Sequence, residues 1–545
     1  MDAEWWRGSV TYQIYPRSFQ DSNGDGLGDL PGITARLGHV AALGADAIWL
    51  SPIFRSPMAD MGYDVSDYTD IDPVFGTLAD FDALVARAHD LGLKVIIDQV
   101  LSHSSDRHPF FVESRRDRTN PRADWYVWAD PRPDGGPPNN WPSVFGGPAW
   151  TWDTRRRQYY LHNFLPSQPD FNFHNPAVQD WLLSTMRFWL DRGVDGFRLD
   201  TVNYYFHDAA LRSNPPLRRA PGQPPPVNPY DMQDHRHSKT QPENLAFLER
   251  MRALLDEYPG RAMVGEVGEA GRALQVMADY TAGPRRLHMA YSFDMLGPQF
   301  SAHHFRSRIQ GFFRAAPDGW PAWAFSNHDA IRHVTRWAGH GAPEDLARLA
   351  AAMLLSFRGS VCLYQGEELG QTETDILWEE LTDPLGRQFW PDYKGRDGCR
   401  TPMVWDGGPQ GGFTTGTPWL PVKPPQLACN VAAQQGMPGS VLEHYRAVLA
   451  FRRAHPVLRT GAIRFLRAPE PLLAFVRGGD EGALLCLFNL GPGPLRLRPA
   501  GCGAPVGPSQ AAILSARDLV LGPNGHAWLP VTPGARPRLG RVQPG

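Results

Sequence analysis

The 545-residue sequence has little cysteine, no strong excess of charge and no long uninterrupted apolar run, and each shortage removes a class of function. Its 5 cysteines, Cys362, Cys399, Cys429, Cys486 and Cys502, are odd in number, widely spaced and without a C-x-x-C pair. Such spacing suggests neither a disulfide framework nor a zinc site, and a reducing compartment is expected. The formal net charge of −3 comes without a long basic run, so nothing here holds nucleic acid or an anionic membrane, and a neutral substrate fits better. The opening Met1-Asp2-Ala3-Glu4-Trp5-Trp6 has no basic segment followed by an apolar one, and no stretch is long enough to span a bilayer. A cytoplasmic protein with no membrane and no nucleic-acid partner is therefore expected.

What is present is material for a large core: 42% hydrophobic against 20% charged residues is the balance of a soluble globular protein. The 18 tryptophans and 52 prolines suit a rigid, aromatic-lined pocket, or equally a codon bias with loop prolines. Apolar runs rich in β-branched and aromatic residues occupy 10–19, 47–53, 94–100, 196–202, 262–267, 288–293, 320–327 and 361–366. Amphipathic stretches separate them; in 78–92, Phe81, Leu84, Val85 and Ala88 make one apolar helical stripe. This alternation predicts an α/β fold, a (β/α)8 TIM barrel, with its site at the C-terminal strand ends.

Residues 103–167, after the third strand, are rich in Asp, Pro, Gly and Trp and predict an inserted subdomain between barrel parts 1–102 and 168–459. Two further excursions are 203–242, with the run Pro221 to Tyr230 (PGQPPPVNPY) as a stiff wall or lid, and 371–435, before a last helix near 440–455. From 460 to 545, short alternating runs such as Leu472–Val476 and Ala483–Phe488 between Gly/Pro turns predict a C-terminal antiparallel β-sandwich domain.

Three of the barrel strands end on acids. In Gly196-Phe197-Arg198-Leu199-Asp200, residues two apart share a face, so a guanidinium lies beside a carboxylate and favours its ionised form, as a nucleophile needs. In Val264-Gly265-Glu266-Val267, a lone carboxyl closes an apolar strand, where desolvation would keep it protonated as an acid. Phe325-Ser326-Asn327-His328-Asp329 supplies the third. Each alone reads as well as a structural ion pair; together, one barrel mouth gathers them.

These runs, with Tyr12–Phe19 (YQIYPRSF), Gly62-Tyr63-Asp64-Val65, Asp98 through His103, Gln168-Pro169-Asp170-Phe171-Asn172 and Arg396–Met403 (RDGCRTPM), resemble the α-amylase family of glycoside hydrolases, particularly its α-glucosidase and oligo-1,6-glucosidase branch. The resemblance spans nearly the whole chain. It implies Asp200 as nucleophile, Glu266 as general acid/base and Asp329 as the third acid. It also implies Asp60 and Arg400 on the outer hydroxyls of a terminal glucose, Tyr63 beneath its ring, and His103, Arg198 and His328 around the reacting centre. The expected activity is a retaining, exo-acting α-glucosidase acting on short α-1,4-linked substrates such as maltose and maltooligosaccharides. Transfer of glucose to alcohol or sugar hydroxyls, or action on α-1,6 links or sucrose, are the alternatives. Thr201 follows the nucleophile where α-1,6-preferring members tend to carry Val, which implies a preference for α-1,4 links. A non-catalytic interaction module would lack the acids that are all present here.

Asp21, Asn23, Asp25, Leu27 (through its carbonyl) and Asp29 set oxygen donors at every second position among glycines, the pattern of a structural Ca²⁺ loop, with Mg²⁺ or a metal-free Asx/Gly turn as alternatives. Gly32 stands where an EF-hand has its bidentate Glu. Ser102 precedes His103 where α-amylases carry an Asn that helps bind another calcium, so that second calcium and endo-amylase action are not expected.

Overall fold

A computed structural model describes residues 4–545 apart from 220, 221, 223, 481, 516, 517, 541 and 545. Met1 to Ala3 of the opening hexapeptide, and Pro221 and Gln223 of the proline-rich run, thus lie outside the described residues. The eight apolar runs become the strands β1 Val10–Ile14, β2 Ala47–Leu50, β3 Lys94–Gln99, β4 Gly196–Leu199, β5 Ala262–Val267, β6 Met289–Ser292, β7 Ala322–Trp323 and β8 Ser360–Tyr364. All pair in parallel in the order β6-β5-β4-β3-β2-β1-β8-β7, and a lone parallel bridge between Ala290 and Pro321 joins β6 to β7. The sheet is thereby a nearly closed barrel. Several strands are shorter than their apolar runs because residues such as 15–19, 200–202 and 324–327 leave the ladder at the C-terminal rim, where they turn towards one another.

Leu78–Asp90 is a helix because its stripe of Phe81, Leu84, Val85 and Ala88 is buried against the barrel, and a reciprocal capping box between Thr77 and Asp80 satisfies its first N–H groups. Phe81 is fully buried, so truncation to Ala would cost about 3–5 kcal/mol. Residues following β3 form a short helix, Pro109–Ser114, and a three-stranded antiparallel sheet of Trp128–Ala129, Gln158–Leu161 and Trp150–Asp153. Trp141, Trp150 and Leu161 pack a small core there, and a bridge between His103 and Asp170 fastens its base. Among its described residues, the excursion after β4 has little regular structure beyond the turn Pro229–Met232, and that after β8 is built of short helices such as Pro384–Phe389.

After the helix Val441–Ala454 the chain becomes antiparallel sheet. Asp518–Pro530 is its spine, pairing with Gly482–Asn489, Leu495–Leu497 and Val506–Ser515. The sheet is stitched to the turn before β8: Arg477 Nη1 donates to the carbonyl oxygens of Ser356 (2.7 Å) and Leu458 (2.8 Å), and Trp528 Nε1 donates to Ser356 Oγ (2.8 Å). This junction lies at the N-terminal end of the strands, away from the three acids.

Candidate active site

Alternation along β4 turns Arg198 inward and carries the same face on to Asp200. Arg198 is fully buried, and its guanidinium meets three carboxyl groups. Nη1 donates to Asp98 Oδ1 (2.8 Å) and Oδ2 (3.0 Å) and to Asp200 Oδ1 (2.8 Å), while Nη2 lies 2.5 Å from Glu266 Oε1. Tyr291, on β6, donates to the same Glu266 oxygen (2.9 Å). One guanidinium thus bridges Asp200 and Glu266, and both line a single cavity. Thr201 ties the pair a second time: its N–H donates to Glu266 Oε2 (3.1 Å) and its hydroxyl to Asp200 Oδ2 (3.2 Å). It does so at φ 40°, a left-handed conformation that is costly for a β-branched residue.

Burial raises both pKa values, to about 7 for Asp200 and about 7 for Glu266, with Arg198 opposing the shift in each case. Asp98 rises to about 6 for the same reason. Like-charged carboxyls around one cation titrate as a unit, so near neutral pH the group holds both a carboxylate and a protonated acid. Asp329 behaves oppositely: burial would raise it, but His328, Arg396 and Arg400 hold it well below the usual carboxylate range.

Asp329 lines the cavity within a cluster of guanidinium and carboxyl groups. Arg400 Nη2 donates to its Oδ1 (2.8 Å), and Arg396 bridges Asp60 Oδ1 (2.8 Å), Asp383 Oδ1 (2.7 Å) and Asp329 Oδ1 (3.4 Å). Gln168 Nε2 donates to Asp60 Oδ2 (3.1 Å). His328 is fully buried behind this layer, with Tyr63 Oη 2.6 Å from its Nε2 and Gln13 Nε2 2.7 Å from its Nδ1. The cavity, about 230 Å³, is lined by Asp60, Tyr63, His103, Asp200, Thr201, Glu266, Asp329 and Arg396, and otherwise by apolar and aromatic groups. Among those, Phe145, Phe164 and Tyr204 make a continuous wall, with ring centroids 5.8 and 5.5 Å apart in turn.

Of the residues singled out from sequence, Asp60, Tyr63, His103, Asp200, Thr201, Glu266 and Asp329 face this cavity, whereas Arg198, His328 and Arg400 stand behind its surface. Arg396 is the guanidinium that reaches the lining, four residues before Arg400 in the same run. Asp98, Tyr291 and the aromatic wall had drawn no role; a lone acid within the apolar Lys94–Gln99 strand was the available signal for Asp98.

The Asp21–Asp29 loop curls tightly, with Gly24 at φ 84° and Gly26 at φ 91°. Asp21 Oδ1 accepts from the N–H groups of Asn23 (2.9 Å) and Gly24 (2.8 Å), Oδ2 accepts from Gly26 N–H (2.8 Å) and Thr414 Oγ1, and Asp29 caps the helix Leu30–Leu43 through Gly32 N–H (2.6 Å). Asp21 and Asp29 are buried, and among the described residues no cationic side chain is in ion-pair contact with either, which is the chemistry a hard cation suits. Among the described residues, however, no three His, Cys, Asp or Glu side chains converge as a ready cage.

Residues 13–461 match the alpha-amylase family model, described as the alpha amylase catalytic domain. The chain belongs to the α-amylase family. A probable alpha-glucosidase of Rhizobium meliloti is 59% identical over 494 residues, covering 90% of each chain. An oligo-1,6-glucosidase of Heyndrickxia coagulans is 37% identical over 529 residues, covering 90% of this chain and 92% of its own. Among solved structures, an alpha-glucosyl transfer enzyme, XgtA, superposes with a TM-score of 0.94 at 53% identity, covering 97% of this chain and 99% of its own. This α-amylase family member is a glycoside hydrolase of the α-glucosidase branch, and the sequence-level assignment of barrel and family holds.

Proposed function

We propose that Asp200 is the nucleophile and Glu266 the general acid/base of a retaining, exo-acting α-glucosidase whose substrates are short α-1,4-linked glucosides such as maltose. The observation that carries this reading is the single guanidinium spanning both carboxyls on the wall of a cavity whose far end is sealed by Asp60, Arg396 and Asp329. A sealed end admits one terminal sugar. Asp329 and Asp60 accept hydrogen bonds from its outer hydroxyls, while Tyr63 lies against its ring and His103 beside it. Glu266 gives its proton to the glycosidic oxygen as that oxygen leaves, and Asp200 bonds to the anomeric carbon. Water then attacks, giving its proton to Glu266 as the bond to Asp200 breaks; two displacements retain the α configuration. Retaining pairs stand about 5–5.5 Å apart, a separation compatible with a shared guanidinium.

A second reading, transfer of the glucosyl group to an alcohol or sugar hydroxyl, is favoured by the apolar wall of Phe145, Phe164 and Tyr204 and by Phe293 and Leu385, all of which line the same cavity. The XgtA likeness supports it too. Incubation with maltose, with and without an added alcohol, tests both: free glucose alone supports hydrolysis, an alkyl α-glucoside supports transfer, and neither product defeats the proposal. Thr201 beside both carboxyls supports α-1,4 over α-1,6 links by about 1–3 kcal/mol at most. Faster turnover of isomaltose than of maltose would reverse that preference.

Asp21, Asn23, Asp25, Asp29 and the Leu27 carbonyl would hold a structural Ca²⁺, or Mg²⁺ in its place, which would neutralise the buried carboxylates and tighten the loop without entering the chemistry. A cytoplasmic location is supported by five unpaired cysteines and by the lack, among the described residues, of any helix long and apolar enough to cross a membrane.

A further inference from the structure

The excursion after β4 returns one cation, Lys239, behind the cavity wall at Tyr204 and Gly268. Lys239 is 4% exposed and, among the described residues, has no carboxylate within ion-pair distance. Its Nζ instead donates to Gly268 O (2.6 Å) and Tyr204 Oη (3.2 Å), and sits 4.9 Å from the Tyr204 ring centroid and 5.4 Å from that of Tyr230. The two phenol oxygens are 2.7 Å apart, and Tyr230 stacks on His235 at 3.8 Å. Neighbouring bonds hold the same junction: Thr240 N–H donates to Asn203 O (2.7 Å), and Asn203 Nδ2 donates to Thr240 Oγ1 (2.9 Å) and Gly268 O (3.2 Å). A buried ammonium is costly unless its donors are met, as here by a carbonyl, a hydroxyl and ring faces, and Asp231 of the same excursion adds a favourable charge nearby.

Tyr204 and Gly268 line the cavity, and they continue outward from the two strand ends that carry Asp200 and Glu266. The sugar-holding end is the opposite one, at Asp60, Arg396 and Asp329. An acid/base must touch the leaving oxygen and later the attacking one, so the groups flanking Glu266 towards the mouth flank the acceptor.

We infer that Lys239 is a positioning residue for the acceptor: it fixes the Tyr204 ring and the Gly268 carbonyl beside Glu266 and so sets whether water or a carbon-bearing hydroxyl takes the glucosyl group. The excursion 203–242 is then a working wall of the acceptor side. This rests on the reaction proposed above. Lys239 touches no substrate and acts through Tyr204, so its loss alters the second displacement more than the first.

The test uses the full chain with p-nitrophenyl α-glucoside and added butanol. Nitrophenol reports the first displacement, and the ratio of butyl glucoside to glucose reports the second. In Lys239→Met, nitrophenol kcat/KM stays within about threefold of the parent, while the transfer ratio falls by about three- to tenfold as water enters beside the freed Tyr204. Tyr230→Phe, which removes one phenol contact and leaves the lysine, lowers the ratio in the same direction by less. An unchanged ratio in Lys239→Met overturns the inference. So does a fall in nitrophenol release that matches a lowered Tm with the ratio constant, since that marks a purely structural residue. No nitrophenol release by the parent protein defeats the proposed reaction, and this inference with it.

Discussion

Replacing Arg198 by Met leaves Asp98, Asp200 and Glu266 buried together without the cation that all three share. A unit charge near 4 Å at an effective dielectric of about 20 is worth about 4 kcal/mol, or about 3 pKa units per carboxyl before relaxation. Breaking a buried ion pair costs about 3–5 kcal/mol in practice, and that is the loss of stability expected here. The sign with pH follows from the shifts. Asp200 and Glu266 titrate near 7 when folded and near 4 when unfolded, so the folded protein binds more protons and stability falls as pH rises from about 4 to about 7. Without Arg198 that window extends upward. The Tm of Arg198→Met, measured from pH 5 to 9, should lie below the parent's throughout and continue to fall above pH 7, where the parent levels off. Its kcat at pH 7 should drop by about 10²–10³ because Asp200 is protonated there, with partial recovery at higher pH. A parent-like Tm profile together with kcat within tenfold at pH 7 would refute the electrostatic account.

Asp200→Asn should abolish release of glucose from maltose while raising Tm at pH 8, since a buried charge disappears; unchanged turnover measured by glucose assay would remove Asp200 from its role. Glu266→Gln should lose about 10²–10⁴ in kcat/KM on maltose and much less on an aryl glucoside whose leaving group needs no proton, with added azide yielding α-glucosyl azide detectable by mass and NMR. Asp60→Ala removes a charged partner of Arg396 at the sealed end and should raise KM for maltose by about 10- to 100-fold in steady-state kinetics. Addition of Ca²⁺ to chelator-treated protein should raise Tm, and Asp21→Ala should abolish that rise; no rise in the parent would leave the loop metal-free.

The barrel was legible because its strands are apolar runs of a length and spacing that loops do not share; seven pair within the ranges read from sequence, and the eighth starts one residue early, at Ser360. The acids were legible for a related reason: Asp200 and Asp329 follow apolar strands, Glu266 is the next-to-last residue of one, and strand ends converge in this fold. Arg396 and Arg400 were not separable. They flank the tight turn Asp397–Cys399, which sends one guanidinium to the cavity and the other behind Asp329, and an irregular turn has no periodicity from which to tell faces. The aromatic wall was hidden for the same reason, since Phe145, Phe164 and Tyr204 come from excursions that only tertiary contacts order. Lys239 gave no sequence signal at all.

The stitching of Arg477 and Trp528 to the turn before β8 means that the C-terminal sheet is no detachable appendage. Arg477 directs its donors to carbonyls from both sides of the border, among them Ser356, Leu458 and Gly461, so a chain ended near residue 460 would expose the apolar underside of the barrel and leave the Ser356 and Leu458 carbonyls without this partner. Heating should accordingly yield one calorimetric transition for both units, and shuffling this tail onto a relative's barrel would succeed only where the recipient offers the same polar seam.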